Sequence, residues 1–503
     1  MPDTGTPPHA DSAPPGPSNG SGRRDWIIGL IAIILLVVGP IVIFIGIRNS
    51  VQAANADNAW AGVPTTVPHT DHSLLMTGPY ETGSDVTEGC LECHAEAGEQ
   101  MLQSEHWLWE NPPVSLPGRD EPVALGKKNS LNNFCTGIQG NEPQCTTCHA
   151  GYGWEDETFD FTDETKIDCL VCHDQSGQYA KADSGYPAEA SDLVLAAGSV
   201  GRPTRTNCGS CHSTGGGGNG VKHGDLDNTL NYPNETIDFH MGVLDMQCVD
   251  CHTTTDHQIA GTSTSVKLID DNPVSCTDCH NSLPHRDDRL NSHTDRVACE
   301  TCHIPEYAVK DPTKLWWDWS TAGQDGLSDD PHEYLKIKGS FVYGTQLIPE
   351  YYWFDGTAER YLLGDPIDPE GITILNDPNG SVDDPVAKIY PFKVHRGIQP
   401  YDAVNDYFIQ PNLVGDEGYW TIFDWDIAMQ NGADDTGFDF SGEYGFARSD
   451  MYWPLEHMVA PAGEALQCTM CHSDAGRLDW KALGYDADPM DTAGQRTIDG
   501  SDR

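Results

Sequence analysis

The chain has 503 residues, with 77 acidic against 28 basic side chains and a formal net charge of −49 at pH 7. This charge excludes nucleic acid as a partner, because phosphate backbones are bound by basic surfaces. It also opposes compaction unless salt screens it, and at about 1 M salt the Debye length falls to about 3 Å. We therefore expect a halophilic protein; the alternative is an acidic exported protein without a salt requirement.

The N-terminal part predicts a tail, a membrane span and a linker. Residues 1–25 are rich in Pro, Gly and Ser, which is typical of a disordered segment, here cytoplasmic. Residues 26–47 hold no charge over 22 positions, enough for a transmembrane helix, and Arg23 and Arg24 precede them. Residues 48–70 form the linker. A signal peptide, cleaved or uncleaved, is the alternative. A retained anchor gives a single-pass protein of the inner (cytoplasmic) membrane, with its main domain on the periplasmic or extracellular face.

Cysteines dominate the remainder of the chain. Sixteen of the 17 fall into eight copies of Cys-x-x-Cys-His, the attachment signature of c-type haem. The two thiols bond to the porphyrin, and the histidine ligates the iron from one side. A disulfide, a zinc ribbon or a thioredoxin-like motif would explain one copy but not eight, so we predict eight covalent haem c groups with their iron. In chain order, haems 1 to 8 are attached at Cys90/Cys93/His94, Cys145/Cys148/His149, Cys169/Cys172/His173, Cys208/Cys211/His212, Cys248/Cys251/His252, Cys276/Cys279/His280, Cys299/Cys302/His303 and Cys468/Cys471/His472.

The motif spacing predicts the fold class, a multihaem cytochrome c. Seven motifs crowd into a haem-rich domain, residues 71–303, with gaps too short for independent domains. We expect mainly short α-helices and long loops wrapped around the haems, with little sheet. Residues 304–467 form a haem-free insert packing on the haem core. Residues 468–480 carry haem 8, and residues 481–503 form an acidic C-terminal tail.

The second axial ligand of each iron must come from elsewhere in the chain. Of 20 histidines, eight are used in the motifs, and ten of the others are plausible distal ligands. This supply is sufficient for bis-histidine, electron-carrying haems. The alternative for any one histidine is a surface or hydrogen-bonding role. We predict as distal ligands His72, His106, His240, His257, His293, His395 and His457.

Several longer stretches carry a family resemblance. NCGSCHSTGGGGNGVKHGDLD, DFHMGVLDMQCVDCHTT, KLWWDWSTAG, IPEYYWFDG and PFKVHRGIQPYD resemble the octahaem tetrathionate reductase family of cytochromes c, over roughly residues 70–475. The family is similar in haem arrangement to hydroxylamine oxidoreductase. The resemblance implies that haem 2 is the active-site haem, that Lys222 ligates its iron opposite the motif histidine, and that Cys135 is the family's lone cysteine.

A glycine run precedes the implied lysine ligand. Residues 215–218 are four glycines, which let a backbone approach a flat cofactor closely and would deliver Lys222 to the iron. Lysine ligates only as the neutral amine, so its pKa must be depressed. His223 is the rival ligand, and a flexible surface loop is the structural alternative. The family has an acid where this chain has Asn219, so either protons are delivered otherwise, for which Asp225 or His223 could substitute, or the protein acts on another substrate.

These features predict an oxidoreductase. We expect it to reduce a small anionic or nitrogenous substrate, such as tetrathionate, nitrite or hydroxylamine, at one Lys-ligated haem fed by seven bis-histidine haems. A membrane quinol-linked or cytochrome donor would supply electrons. His395 and Arg396, with Lys393, form a predicted cationic cluster that attracts the anion, and Cys135 is a predicted reactive thiol with a lowered pKa. The alternative is an electron conduit with no substrate site.

Overall fold

The computed structural model describes residues 69–116, 119–261 and 272–492. They belong to two compact units. Residues 279–284 group with residues 1–63 in the first, and the remaining described residues form the second. The predicted tail, membrane span and nearly all of the linker lie outside the described residues. Within the described ranges, no helix is both long enough and apolar enough to cross a membrane.

Short helices carry most of the haem attachment residues. Residues three apart share one helix face, so a single turn presents both thiols of a Cys-x-x-Cys pair on the same side. This explains why four of the motif helices are only four or five residues long. The α-helices of the described residues are α1 Gly83–Leu91, α2 Ala95–Leu102, α3 Glu142–Cys145, α4 Leu170–His173, α5 Leu193–Gly198, α6 Arg205–His212, α7 Phe239–Val243, α8 Cys248–Cys251, α9 Asp288–His293, α10 Cys299–His303, α11 Tyr419–Ile422, α12 Trp425–Thr436 and α13 Cys468–Cys471.

The expectation of little sheet holds for the haem-rich segment, where the described strands form one two-stranded hairpin, but it is wrong for residues 304–467. That insert forms an eight-stranded mixed sheet. Its strands are rich in aromatic and β-branched residues, which fit a pleated, half-buried surface. The strands are β1 Thr254–Thr255, β2 Gln258–Ile259, β3 Thr313–Asp318, β4 Tyr334–Leu335, β5 Gly339–Gly344, β6 Glu350–Phe354, β7 Ile372–Ile374, β8 Lys388–Asp402, β9 Tyr407–Phe408 and β10 Tyr444–Pro454.

Strand β8 organises the sheet. The order is β4-β5-β3-β8-β10-β7, and β6 and β9 also pair with β8. In the antiparallel pairing with β10, Lys393 lies opposite Trp453 and His395 opposite Met451. Because side chains alternate along a strand, these four residues share one face, and Arg396 points to the other.

An aromatic core holds the insert together. Trp317, Trp319, Phe408 and Tyr419 are at most 1% exposed and belong to one continuous cluster that also includes residues of α12. The apolar clusters of the haem-rich segment are smaller. The insert therefore buries an ordinary apolar core, against which the loops of the haem-rich segment can be fixed.

Candidate functional site

Five motif histidines face a second imidazole. Two imidazoles that ligate one metal from opposite faces, with metal–nitrogen bonds of about 2.0–2.1 Å, have ring centroids roughly 6 Å apart. The observed centroid distances are 6.3 Å for His72–His94, 6.0 Å for His106–His212, 6.2 Å for His252–His457, 6.1 Å for His285–His303 and 6.2 Å for His293–His472. These pairs have the spacing of the axial ligands of haems 1, 4, 5, 7 and 8.

The hydrogen bonds of the imidazoles fit the same group. His72 Nδ1 bonds to the Thr70 carbonyl at 2.7 Å, and His173 Nδ1 to the Gly201 carbonyl at 2.8 Å. An Nδ1 that donates a hydrogen bond leaves Nε2 as the metal ligand. Among the described residues, none of the motif cysteines forms a disulfide. The donor set therefore fits covalent haem c.

Nine of the 24 predicted attachment residues are exposed, and the other 15 are partly buried. Cys93, Cys279 and His280 are exposed, whereas most of the attachment thiols are partly buried. Cys93 lies in the tight turn after α1, where its amide donates to the Cys90 carbonyl at 3.2 Å.

The exposure of Cys279 and His280 extends to their neighbours in the chain. Both follow a single 3₁₀ turn, Cys276–Asp278, and every residue from 272 to 284 is exposed, so this segment contributes nothing to an apolar core. His280 is not a member of the five imidazole pairs found among the described residues. The roles of Cys279 and His280 at haem 6 rest on the sequence motif, and ligation of the iron by His280 stays a prediction.

One of the five pairs includes a histidine that sequence reasoning missed. His285 was among the plausible ligands but was not selected. Its backbone is held by Asn291, whose Oδ1 accepts from the His285 amide at 2.9 Å and whose Nδ2 donates to its carbonyl at 2.8 Å. Only its place among the unused histidines pointed to it, because the spacing to any one motif carries no information about distal ligation.

His257 and His240, also predicted as distal ligands, lie outside these five pairs. His257 is at the tip of the β1–β2 hairpin, where it and Asp256 have φ of 61° and 50°, as in a type I′ turn. Its Nδ1 bonds to Gln100 Oε1 at 2.9 Å. The pKa of His173 is lowered mainly by burial and also by the charge of His257. His240 lies on α7 and stays a prediction as a ligand.

The motif histidine of haem 2 lies in an aromatic pocket. The His149 ring is 4.9 Å from the rings of Trp107 and Trp154 and 5.6 Å from that of Phe159, and burial lowers its pKa to about 3. Its Nδ1 is buried without a partner, while its Nε2 is 3.0 Å from the Trp107 carbonyl. Ligation through Nε2 requires the ring to leave that carbonyl.

The glycine run packs against the turn that holds Cys135. Gly216 and Gly217 have φ of 81° and 95°, which favour glycine. A Cβ at Gly217 would lie 3.3 Å from Cys135 Sγ and 3.2 Å from Lys338 Nζ. The Lys222 amide donates to the Gly215 carbonyl at 3.2 Å and closes the loop. Glycine is thus required here both for conformation and for close approach.

Lys222 is partly buried and, among the described residues, lacks an acidic partner. Its Nζ lies 4.9 Å from the centroid of the Trp453 ring, and among the described residues no hydrogen-bond acceptor or carboxylate pairs with it. Burial lowers the pKa of Lys222 to about 7, the charge of Lys127 adds to this, and the Cys148 thiol of haem 2 opposes it. A substantial fraction of Lys222 is therefore the neutral amine at neutral pH, the form that can bind a metal.

Lys393 holds the Lys222 loop in place. Its Nζ donates to the carbonyls of Val221 at 2.8 Å and Lys222 at 3.0 Å, and to Thr313 Oγ1 at 2.7 Å. Thr313 Oγ1 donates in turn to the Gly220 carbonyl at 2.6 Å. Lys393 is fully buried, so it positions this loop and does not attract an anion from solvent.

The predicted cationic cluster is divided by the sheet. His395 is fully buried; its Nδ1 bonds to Asn133 Oδ1 at 2.9 Å, and its Nε2 has no partner. Within the described part of the chain it forms no ring pair with a motif histidine. Arg396 lies on the opposite face, in a bidentate pair with Glu350 at 2.8 and 2.9 Å. The predicted catalytic role of Arg396 is therefore wrong, because strand alternation turns it away and Glu350 neutralises it.

Two lysines, Lys314 and Lys338, lie near Cys135. Its Sγ donates to the Gly216 carbonyl at 3.2 Å. Burial raises the pKa of Cys135, although Lys338 and Lys314 act to lower it, so the predicted lowering was wrong. Lys314 Nζ is 3.5 Å from the ring centroid of Trp317, and burial lowers the pKa of Lys314 to about 6. A β-bulge after Lys314 aims this side chain.

Asn219, His223 and Asp225 have separate roles in this geometry. Asn219 Nδ2 donates to Asp311 Oδ2 at 2.8 Å, and its Oδ1 accepts from the Asn228 amide at 2.7 Å, so Asn219 braces the loop. The His223 ring lies 4.8 Å from that of Trp453, beside Lys222. Asp225 bonds to His457, a member of the haem 5 pair.

Comparisons with known proteins agree with this geometry. The family model described as bacterial cytochrome c matches residues 314–475, and that of cytochrome c7 and related cytochrome c matches residues 234–304. The structure is similar to the crystal structure of octaheme cytochrome c from Shewanella oneidensis, with 47% identity and a TM-score of 0.80, covering 85% of this chain and 99% of that chain. No curated protein matches. These matches confirm the multihaem cytochrome c fold and covalently bound haem c.

Proposed function

The chain belongs to the octahaem tetrathionate reductase family of cytochromes c and is a multihaem redox protein, and we propose that it reduces a small oxyanion or a nitrogen or sulfur species. Candidate substrates are tetrathionate, nitrite and hydroxylamine. The reaction takes place at haem 2, with Lys222 as its second axial ligand and the other haems as the electron supply.

The observation that carries the proposal is a concentration of cations without carboxylate partners. In a chain of net charge −49, Lys314 and Lys338 lie near Cys135, and Lys222 follows the glycine run that packs against the same turn. Among the described residues none of the three lysines pairs with an acid. Burial disfavours the protonated forms of Lys222 and Lys314, and an anion beside them restores the charge. The pocket therefore gains its positive charge as an anion binds, which favours anionic substrates over neutral ones.

Each residue has a defined task in this proposal. Haem c supplies single electrons and, where its second ligand can leave, a place for substrate. Lys222 provides that displaceable ligand and, once protonated, a positive charge against the substrate. Lys314 and Lys338 bind the anion's oxygen atoms. Tetrathionate takes up two electrons at its central sulfur–sulfur bond and leaves as two thiosulfate ions, and the Cys135 thiol lies where a sulfur atom would dock.

An electron conduit without a substrate site is the alternative function. Anaerobic reoxidation of the dithionite-reduced protein by tetrathionate, nitrite and hydroxylamine separates the two, because a conduit is reoxidised by none of them at a catalytic rate. Lys338→Met should raise the KM for the anions several-fold. Lys336→Met is the matched control, since Lys336 is two residues away, half exposed and paired with Asp325 at 2.8 Å. Equal effects of the two substitutions would remove Lys338 from the site.

The thiol has its own test. Cys135→Ser should keep eight haems and an unchanged spectrum but lose most turnover of tetrathionate, while the turnover of nitrite falls less. Unchanged tetrathionate turnover in that variant would exclude Cys135 from the mechanism.

Location and partners complete the proposal. Haem attachment of the c type takes place outside the cytoplasmic membrane, which supports an exported protein that takes electrons from a membrane quinol-linked or cytochrome donor. Membrane anchoring by residues 26–47 is part of the proposal, and fractionation of cells expressing the full chain tests it. Release of the protein with the soluble periplasmic fraction would contradict an anchor.

A further inference from the structure

Two of the haem-ligating imidazoles bond to a carboxylate. His457 Nδ1 lies 3.1 Å from Asp225 Oδ2 at haem 5, and His472 Nδ1 lies 2.6 Å from Asp488 Oδ1 at haem 8. The acceptor is an uncharged backbone or amide oxygen at His72, His173, His252, His257 and His293. His457 and His472 therefore differ from these five imidazoles in the charge of the hydrogen-bond acceptor.

Asp225 is fixed independently of the imidazole. It is fully buried, and its Oδ2 also accepts from the backbone amides of Glu456 at 2.8 Å and His457 at 2.9 Å. Two of the three hydrogen bonds that Asp225 Oδ2 accepts therefore come from the backbone, and they hold the carboxylate in place beside haem 5.

Asp488 makes a similar arrangement at a more exposed position. Its side chain is 13% exposed, against 14% for that of His472, and its Oδ1 also accepts from the Met490 amide at 2.8 Å. On the opposite faces of these two haems, His252 bonds to the Ala260 carbonyl and His293 to the Arg289 carbonyl. Each haem thus has one carboxylate-bonded ligand and one ordinary ligand.

We propose that Asp225 and Asp488 lower the reduction potentials of haems 5 and 8 relative to the same haems without these carboxylates. A carboxylate draws the Nδ1 proton toward itself and makes the imidazole a stronger electron donor to the iron. Its charge also favours the oxidised, more positive haem, and second-shell hydrogen bonding is one of the protein's levers on haem potential. Haems 5 and 8 then pass electrons on readily and do not store them. The inference rests on the haem ligation and is independent of the proposed substrate.

Potentiometric titration of the eight-haem protein, followed by optical and EPR spectra, tests the inference. Asp225→Asn should raise the midpoint potential of one haem and shift the EPR g values of that haem, leaving the other midpoints in place. Asp227→Asn is the matched control. Asp227 is two residues away and equally buried, but it accepts from Thr229, not from an imidazole.

The control separates the hydrogen bond from the bulk charge. An unchanged midpoint in Asp225→Asn, or an equal rise in Asp227→Asn, would overturn the inference. Because Asp225 also accepts from backbone amides, Asp488→Asn provides a second test at a position where folding depends less on the carboxylate. A folded Asp488→Asn protein with eight haems and no raised midpoint would equally contradict it.

Discussion

The paired imidazoles and the Lys222 loop differ in how firmly their nitrogen atoms can close a face of the haem iron. In each described pair the imidazoles are roughly 6 Å apart, and at least five of these ten imidazoles have Nδ1 fixed by a hydrogen bond, so both faces of the iron are closed. At haem 2 the second nitrogen is a lysine amine with no acceptor among the described residues and a pKa lowered to about 7 by burial. A closed haem carries electrons, whereas a haem with a replaceable ligand can receive substrate.

The strongest test of this difference is to remove the Lys222 amine. Lys222→Leu should convert one haem to a high-spin or water-bound form, speed up cyanide binding to it, and lower turnover by about 10²–10³, as expected when a charge aimed at the reacting anion is lost. His223→Ala should leave the haem spectra unchanged. If His223→Ala opens the haem and Lys222→Leu does not, the assignment of the second ligand is wrong.

Opening a paired haem tests the other side of the comparison. His285→Ala should also produce one high-spin haem, at haem 7, because the structure places His285 opposite His303. Turnover should fall by less than in Lys222→Leu, since one carrier is impaired and the substrate pocket is intact. His332→Ala is the control, because His332 is largely exposed and paired with Asp330. Magnetic circular dichroism counts the high-spin haems in both variants.

Removing the Lys393 side chain, which hydrogen-bonds to the Lys222 loop, should have a smaller effect. Lys393→Met removes two hydrogen bonds to the Lys222 loop and one to Thr313, and leaves the carbonyls of Val221 and Lys222 without this partner. Unpaired buried groups cost about 1–3 kcal/mol each in stability, so chemical denaturation should reveal a loss of that order. Haem 2 should become a mixture of spin states. Lys388→Met, on the partly exposed start of the same strand, should do neither.

The smallest expected effect is a pH dependence. Burial lowers the pKa of Lys314 to about 6, so its charge is present below that pH and lost as the pH rises through it. The KM for an anionic substrate should therefore increase as the pH rises from 5 to 7, and the midpoint of this increase should lie within about one pH unit of 6. Lys314→Met should have a high KM at every pH in that range. A parallel pH profile in the variant would assign the dependence to another group.

The sequence by itself determined the cofactor, the haem count and the attachment residues, because Cys-x-x-Cys-His is a local motif that one helical turn can satisfy. The resemblance identified the family and implied that Lys222 ligates haem 2 and that Cys135 is the family's lone cysteine; both roles stay proposals. Distal ligation was only partly predictable. His285 was missed and His395 was selected, because which histidine reaches which iron depends on chain segments distant in sequence. His395 has the burial of a ligand, but β8 aims it at Asn133.

The motif also does not determine how far the chain covers an attachment site. Cys93, Cys148, Cys279 and His280 are exposed, whereas His149, next to Cys148 in the same motif, is partly buried among aromatic rings. Burial depends on which distant side chains pack against the turn, and the spacing of the motif holds no information about them.

Tertiary structure alone decided the surroundings of haem 2. The order and register of the sheet bring Lys393 under the glycine loop and turn Arg396 to the other face, although the two are three residues apart. Burial raises the pKa of Cys135, where a count of neighbouring lysines had suggested the reverse. Charge and motif are properties of the sequence, whereas desolvation and strand register exist only once distant segments have packed together.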